Sequence, residues 1–235
     1  MTRSRRTVVI GSFNTAKAAE MMELLQGLEA AVRPLGEFPG VRPVPETGAS
    51  FAENARQKAL GLARQIEADD VIGVIAEDSG LEVNALGGRP GVRSARYVSE
   101  NATDADRVRR ILKELGDLPP ESRAARFRCH VALANATDIL VETEGVVEGR
   151  IGFAAAGSSG FGYDPIFIPL GYDRTFAELG YGVKHKISHR AVALRLFRER
   201  LDRLLKFGLT SDKSGRSDLS DIPPFCTVDP PWRKR

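Results

Sequence analysis

The chain has 235 residues, 42% of them hydrophobic, and a formal net charge of +3. This suffices for one domain, or for two lobes in close contact, around an apolar core. No apolar run approaches the about 18 residues that a membrane span needs, and the two cysteines, Cys129 and Cys226, are too few for a disulfide framework. We therefore expect a protein of the reducing cytoplasm with no membrane partner.

The basic residues are concentrated at the two ends of the chain. Arg3, Arg5 and Arg6 lie at one end, and residues 233–235 add three more cations at the other. Without these six charges, residues 7–232 carry a net charge of −3. A nucleic-acid-binding face needs cations clustered on the folded surface, so we expect no nucleic-acid partner.

Strand and helix patterns alternate in the first third of the chain. The hydrophobic periodicity predicts a strand at 7–11, a helix at about 15–27, a second helix at 51–66 and a short buried strand at 71–76. Ser50 and Glu53 have the spacing of a capping box at the start of the second helix.

The later elements begin with a helix that Thr103 and Asp106 open and that runs to about Leu115. Two β-rich runs follow at 124–134 and 139–148, with a hairpin signal at 135–138 between them.

A Gly-rich segment at 157–164 precedes a strand at 165–169. Ser188 is the candidate N-cap of a last helix, about 189–207, which Gly208 closes. We predict one domain over residues 1–208 and a polar, disordered tail over 209–235.

Two adjacent carboxylates, Glu77 and Asp78, follow the predicted strand 71–76, and Ser79 comes next. Acids at the mouth of a buried strand are costly unless a cation or hydrogen-bond donors satisfy them. Their oxygens suit Mg²⁺, which usually arrives with substrate phosphates. A solvated acidic turn is the alternative. Glu46 lies in a proline-rich loop with no evident structural role, which makes it a candidate second carboxylate for the metal.

Two segments have side chains suited to phosphate. The segment 12–17 connects the first strand to the first helix, and a helix N-terminus with Lys17 nearby can bind anions. A plain N-cap by Asn14, with Lys17 in solvent, is the alternative. Asn54 and Lys58 are four residues apart, so they share a helix face that can present an amide and an ammonium to a polyphosphate.

Aromatic side chains lie among glycines in the segment 160–165. Glycine lets backbone approach a ligand closely, and an exposed ring such as Phe161 can stack on a purine. The alternative is a turn with Phe161 in the core.

Positive charge is concentrated at the start of the last helix. Lys184 and Lys186 precede Ser188, His189 and Arg190. Cations there oppose the helix dipole, which favours a compensating anionic or acceptor-rich ligand. A solvated basic stretch is the alternative.

These motifs occur in one order over residues 7–207, and together they resemble the inosine/xanthosine triphosphate pyrophosphatase family. The resemblance implies a mixed α/β fold of the ITPase type, with a long central mixed sheet and two lobes flanking a substrate cleft, assembled as a homodimer. It implies Mg²⁺-dependent hydrolysis of ITP, dITP or XTP to the monophosphate and pyrophosphate. The motifs are Ser12-x-Asn14-x-x-Lys17, Glu46-Thr-Gly-x-x-Phe51-x-Glu53-Asn54-Ala55, Glu77-Asp78-Ser79-Gly80-Leu81, Pro90-Gly-x-x-Ser94-Ala-Arg96-Tyr97, Gly160-Phe-Gly-Tyr-Asp164-Pro and Ser188-His189-Arg190.

The resemblance also implies roles for single residues. Asp78 corresponds to the general base and, with Glu46, to the metal ligands. Glu77 stands where the family usually has Asp, and its help in holding the metal is an expectation. Lys58 matches a lysine that faces the phosphates. Our own hypothesis is that Phe161 stacks on the base and that His189 and Arg190 donate to its 6-oxo group. The expected substrate contacts are Ser12, Phe13, Asn14, Thr15, Ala16, Lys17, Lys58, Ser79, Phe161, Gly162, Tyr163, Asp164, Lys184, His189 and Arg190.

Two other functions stay open from the sequence. One is a pyrophosphatase of modified pyrimidine or 7-methylguanine nucleotides, as in the structurally similar Maf-like proteins, although the Ser-His-Arg and Phe-Gly-Tyr-Asp motifs argue against it. The other is a nucleotide- or nucleic-acid-binding module without catalysis. Release of pyrophosphate from a panel of nucleotides distinguishes the three.

Overall fold

The computed structural model describes residues 6–207, which form one six-stranded sheet and six α-helices. The strands are β1 (Thr7–Ile10), β2 (Ala31–Pro34), β3 (Val71–Val83), β4 (Ala124–Ala134), β5 (Ile139–Ile151) and β6 (Phe167–Pro169). The helices are α1 (Thr15–Leu24), α2 (Phe51–Ala63), α3 (Asp104–Leu115), α4 (Phe176–Leu179), α5 (Tyr181–Ile187) and α6 (His189–Phe207). Within residues 6–207, no helix has the length and apolarity needed to cross a membrane.

The sheet mixes parallel and antiparallel pairs, as expected. Its strand order is β2-β1-β3-β4-β5-β6. β1 runs parallel to both of its neighbours, whereas β3, β4, β5 and β6 pair antiparallel in succession. The mixed α/β fold class is therefore confirmed. The predicted tail 209–235 and the helix end at Gly208 lie outside the described residues.

The long strand β3 corrects the prediction that this strand ends at 76. It continues to Val83, so the acidic pair lies inside the strand and not at its mouth. The neighbouring strand β1 stops at Ile10, opposite Ile75. From Ala76 onward β4 is the one strand that pairs with β3 among the described residues, and the other edge carries a single bridge, between Glu82 and Pro90. That edge is therefore open beside the acidic pair, where polar side chains can reach a cleft. A hydrophobic pattern reports which residues are buried and not which strands pair. Polar residues after an apolar run therefore predict the end of a strand even where the strand continues.

Other bounds differ less. The predicted ends of the helices at 27 and 66 are wrong, since α1 ends at Leu24 and α2 at Ala63. The first and last predicted strands are shorter, at 7–10 and 167–169, and β5 is longer than predicted. The short elements β2, α4 and α5 were not predicted, because segments of four to seven residues span too few periods. The starts of α3 and α6, and the strand β4, are confirmed.

The helix caps explain where the functional helices begin. Thr103 and Asp106 form the reciprocal capping box of α3. The Ser50 hydroxyl accepts from the Glu53 amide, but the Glu53 carboxylate accepts from the amide of Ala49, so this box is only half formed. The Ser188 hydroxyl accepts from the backbone amide of residue 191, which caps α6 as predicted.

Four apolar clusters occur within residues 6–207, and the two largest divide the same long strands between them. In the first, α1 and α6 pack on β1 and on one half of β3, β4 and β5. In the second, α3 and the segment 163–176 pack on the other half of β3, β4 and β5. These clusters correspond to the two expected lobes. The open edge of β3 lies where they meet, so the motif residues of both lobes converge there.

Candidate active site

The central feature of the site is the open edge of β3, from which adjacent side chains leave on opposite faces of the sheet. Glu77 and Ser79 point towards α1 and α6, where they contact Lys17 and Arg190. Asp78 points towards α2. The acidic pair therefore belongs to two separate polar clusters.

The first cluster joins α2 and the loop before it to Asp78. The Lys58 ammonium lies 2.9 Å from a carboxylate oxygen of Glu46 and 3.5 Å from one of Asp78. Asn54 is fully buried and donates its amide to Asp78 at 2.9 Å. Arg96 donates to the backbone oxygen of Glu46 and lies 3.9 Å from its carboxylate. Asn54 and Lys58 share a face, as predicted, and that face meets carboxylates.

The pKa shifts in this cluster follow the distances. Burial raises the pKa of Asp78, and the charge of Lys58 and the amide of Asn54 offset only part of that rise. Burial also acts to raise the pKa of Glu46, but the closer contact with Lys58 outweighs it and lowers the pKa. For Lys58, the charges of Asp78 and Glu46 outweigh burial and raise the pKa, so this ammonium stays charged.

The second cluster is centred on Glu77, which is 4% exposed. Arg190 donates two hydrogen bonds to it, at 2.9 and 3.0 Å. Lys17 lies 2.9 Å away, and the Cys129 thiol donates at 2.9 Å. Burial opposes ionisation of Glu77, but the Arg190 and Lys17 charges hold its pKa well below the usual range. A further hydrogen bond of 2.6 Å joins Arg190 to Glu20 of α1.

The contacts of the second cluster bear on the roles expected of Glu77 and Arg190. Both Glu77 oxygens already accept hydrogen bonds from the protein, so the structure does not present this carboxylate as a free metal ligand beside Glu46 and Asp78. Arg190 is 1% exposed, and its guanidinium donates to Glu77 and Glu20 and lies 5.7 Å from the centroid of the Phe161 ring. Its hydrogen bond to the base stays a prediction. Carboxylates of the chain itself thus compensate the cation at the start of α6.

Glu46 and Asp78 fit a Mg²⁺ site. They share one ammonium, so a cation already lies between the two carboxylates. Mg²⁺ is typically held by one or two carboxylates, with substrate phosphates and water completing the shell. Among residues 6–207 no group of three or more His, Cys, Asp or Glu side chains could hold a metal by itself. The two-carboxylate set therefore suits a metal that arrives with a phosphate ligand.

Each of the two interpretations of the segment 12–17, a plain N-cap and a phosphate-binding helix start, agrees with part of what the structure shows. Asn14 caps α1 by accepting from the backbone amide of Lys17 at 3.0 Å, which is the plain capping role. The Lys17 ammonium is nevertheless not in open solvent, because it pairs with Glu77 and reaches Ser79 at 3.3 Å. The Ser12 hydroxyl accepts from the Asn14 amide. The side chains left exposed at the N-terminus of α1 are those of Phe13, Asn14, Thr15 and Ala16.

The Gly-rich segment positions one ring at the cleft and one in the core. Phe161 is half-buried, and the Lys184 ammonium lies 4.0 Å from its ring centroid. Asp164 fixes both, since it accepts from the Phe161 amide at 2.9 Å and from Lys184 at 2.5 Å. Tyr163 is 4% exposed and donates to a backbone oxygen, so its predicted contact with substrate is not supported. The Gly162 amide donates to a side chain of α3.

His189 is buried, and one of its ring nitrogens is available for a hydrogen bond to a ligand. Its ring stacks on Phe127 with centroids 4.8 Å apart, and within residues 6–207 its Nδ1 has no hydrogen-bond partner. Burial and the nearby charge of Arg190 hold its pKa well below the usual range, so the imidazole is neutral. A buried, unpaired ring nitrogen costs free energy unless a ligand satisfies it.

Sequence reasoning assigned no role to Glu20, Cys129 or Arg96. Glu20 follows Lys17 by three residues and so lies on the same helix face, a signal that could have indicated it. Cys129 is opposite Ser79 in the β3–β4 register, which no local pattern reveals.

Comparison with known proteins gives consistent matches. A sequence profile of the Ham1 family matches residues 8–200. Proteins named dITP/XTP pyrophosphatase from Geobacillus kaustophilus and Bacillus subtilis are 41% and 42% identical, over 85% and 81% of this chain and 96% and 94% of their own lengths. A HAM1 protein structure from Coxiella burnetii has a TM-score of 0.74 at 41% identity, covering 86% of this chain and 100% of the other. A dITP/XTP pyrophosphatase structure from Mycobacterium abscessus has a TM-score of 0.65 at 38% identity, covering 81% and 98%.

Proposed function

The chain belongs to the Ham1 family, and on that premise we propose that it hydrolyses the deaminated purine nucleoside triphosphates ITP, dITP and XTP to the monophosphate and pyrophosphate. One observation carries the proposal for this chain. The Lys58 ammonium lies between Glu46 and Asp78, while Lys17 lies beside Ser79 on the same open edge of β3. Cations and carboxylates at one edge suit a polyphosphate with its metal.

Hydrolysis of a phosphoanhydride is mainly a problem of charge and position. Bound by Glu46 and Asp78, Mg²⁺ would supply positive charge to the polyphosphate. Lys17 and Lys58 neutralise non-bridging oxygens as charge develops. Asp78 takes a proton from the water that attacks the α-phosphorus. The bond from the α-phosphorus to the bridging oxygen then breaks, and pyrophosphate leaves with that oxygen.

The base is recognised on the other side of β3. Phe161 stacks on the purine. Lys184, which lies over the Phe161 ring, and Asp164, which accepts from the Phe161 amide, hold that ring in position. The neutral His189 ring offers a hydrogen bond to the purine edge. Arg190 acts as a positioning residue that ties α6 to Glu77 and α1. If His189 donates to the 6-oxo group, the 6-amino group of adenine leaves that donor unpaired, which costs about 1–3 kcal/mol.

The test is pyrophosphate release from ITP, XTP, GTP, ATP and 7-methyl-GTP, with Mg²⁺ and with a chelator. We expect turnover of ITP and XTP, much slower turnover of ATP, and loss of turnover in the chelator. Preferential turnover of 7-methyl-GTP would instead favour the Maf-like activity. Binding of ITP and Mg²⁺ without pyrophosphate release would favour the non-catalytic module.

We further propose that the protein is a cytoplasmic homodimer. The dimer is supported by the resemblance noted above, and the cytoplasm by a substrate drawn from the nucleotide pool and by the free thiol of Cys129. Sedimentation equilibrium measures the mass directly, and a monomer at micromolar concentration would contradict the dimer.

A further inference from the structure

A small cavity lies between α1 and α5. Its volume is about 180 Å³, and Ala16, Glu20, Phe161, Tyr181 and Lys184 contribute to its walls. Pockets that enclose drug-sized ligands typically measure about 300–1,000 Å³. The cavity therefore suits a single ring system and not a whole nucleotide. Because Phe161 contributes to its wall, it is the natural place for the purine.

We propose that the Tyr181 hydroxyl and the Glu23 carboxylate form a clasp that closes the outer rim of this cavity, and that Tyr181 is a positioning residue for purine binding. The clasp deepens the proposed function and rests on it. Neither residue takes part in the proposed chemistry.

The contacts across the cavity differ at its two ends. At the inner end, buried ion pairs join Arg190 to Glu20 and Lys184 to Asp164. At the outer rim, Tyr181 donates to Glu23, although both side chains are more than half exposed. The inner end is thus fixed by buried charges, whereas the rim is held by an exposed hydrogen bond.

His185 adds to the rim from α5. Its Nδ1 lies 3.1 Å from the Tyr181 hydroxyl and 4.0 Å from Glu23, and its ring packs on the tyrosine ring at 5.3 Å between centroids. The hydrogen bond to Glu23 raises the pKa of Tyr181 to about 12, so the phenol stays protonated and remains a donor.

The clasp joins elements that belong to different cores. Met21 and Leu25 anchor α1 and its C-terminal end in the first apolar cluster. Leu179, which ends α4, and Ile187, the last residue of α5, pack against the second. A contact between them restrains the two walls of the cavity relative to each other. If the walls are free to part, only a fraction of molecules can bind the base, and the apparent affinity falls by that fraction.

The test compares Tyr181→Phe, which keeps the ring and removes the hydroxyl, with Tyr172→Phe. Tyr172 is an exposed tyrosine that does not contribute to the cavity. We expect Tyr181→Phe to raise KM for ITP, and Kd for inosine monophosphate by calorimetry, about three- to tenfold, the range for loss of one ordinary solvent-exposed hydrogen bond. We expect kcat to stay within about twofold, because the phosphate-binding side chains are untouched.

Inorganic triphosphate separates positioning of the base from a general effect on the fold. It offers phosphates without a purine, so its inhibition constant should be the same in Tyr181→Phe and in the unmodified protein. Glu23→Gln keeps an acceptor for the hydroxyl and should stay close to the unmodified protein, whereas Glu23→Ala should match Tyr181→Phe. Combining Tyr181→Phe with Glu23→Ala should add nothing further.

Three results would overturn the clasp: unchanged affinity for inosine monophosphate in Tyr181→Phe, an equal loss of affinity for inorganic triphosphate, or an equal effect of Tyr172→Phe. Failure of the proposed function gives a different result, because the unmodified protein would then release no pyrophosphate from ITP.

Discussion

At the scale of single residues, the chemistry depends on one ammonium shared by two carboxylates. Burial acts to raise the pKa of both acids. The closer Lys58 outweighs burial at Glu46, whose pKa falls, but not at the more distant Asp78, whose pKa rises. A carboxylate with a raised pKa is a better proton acceptor once it is ionised. Of the two proposed metal ligands, Asp78 is therefore the one better suited to the proposed role of general base.

Asp78→Asn tests that distinction. We expect turnover of ITP to fall about 100- to 10,000-fold, the usual contribution of a general base, because an amide cannot take the proton. The hydrogen bond from Asn54 can be kept by the new side-chain oxygen, so the fold should survive. The measurements are pyrophosphate release and thermal unfolding, with Asp173→Asn on the exposed surface as control. Near-normal turnover would remove Asp78 from its role.

The pH dependence of turnover gives a second test of the same group. Asp78 must be ionised to accept a proton, so kcat/KM should fall as the pH drops through its raised pKa. Lys58→Met removes the cation that lowers this pKa, so the acid limb of the profile should move to higher pH. The quantity to compare between the two proteins is the pH at which kcat/KM falls on the acid side, and not the rate at the optimum. An acid limb at the same pH in both proteins would show that another group titrates.

At the scale of elements, the start of α6 can lie close enough to the sheet to place His189 and Arg190 in the site only because β5 has a glycine at the point of contact. A Cβ on Gly145 would lie 2.1 Å from the backbone oxygen of His189 and 2.5 Å from the backbone nitrogen of Ala193. Real Cβ atoms essentially never come so close to backbone. The start of α6 thus touches the sheet at this glycine, which places Arg190 against Glu77.

Gly145→Ala should therefore displace the start of α6. We expect a loss of about 1–3 kcal/mol in the free energy of unfolding from overpacking. We also expect a higher KM for ITP, because His189 and Arg190 move with the helix. Gly182→Ala in α5 is the matched control, since a Cβ there meets no atom within 4 Å. If Gly145→Ala resembles the control in both stability and KM, the close packing of α6 does not position the base site.

At the scale of the whole molecule, the two cores are not separate domains. Each of β3, β4 and β5 contributes to both clusters: Ile75 and Leu81 of β3, for example, lie in the first and the second. Unfolding either core therefore disrupts strands that the other needs. The cleft is an opening between two halves of one sheet.

The shared strands predict one cooperative unfolding transition. Far-UV and near-UV circular dichroism should give coincident thermal curves. Ile111→Val in the second core removes a buried methylene, which costs about 0.5–1.5 kcal/mol, and should move the whole curve to lower temperature without splitting it. Val131→Ala in the first core should do the same. Two resolved transitions, or a shift confined to part of the curve, would mean that the lobes unfold independently.

The sequence by itself determined the order of the main elements and the family. The periodicity of α3, α6 and β4 and the hairpin at 135–138 are local properties, and the structure confirms them. The motif residues also carry their chemical types in the sequence, so carboxylates, lysines and an aromatic ring could be assigned to metal, phosphate and base before any contact was known.

Only the tertiary structure decided how those residues pair. Glu77 and Asp78 are neighbours in sequence, yet they serve different clusters, because side chains alternate across a strand whose continuation past Ala76 the sequence did not reveal. The guanidinium of Arg190 is a donor that could bind the base, but it donates hydrogen bonds to Glu77 and to Glu20, which is 170 residues away. Pairing of distant charges depends on which elements pack together, and no local pattern contains that information.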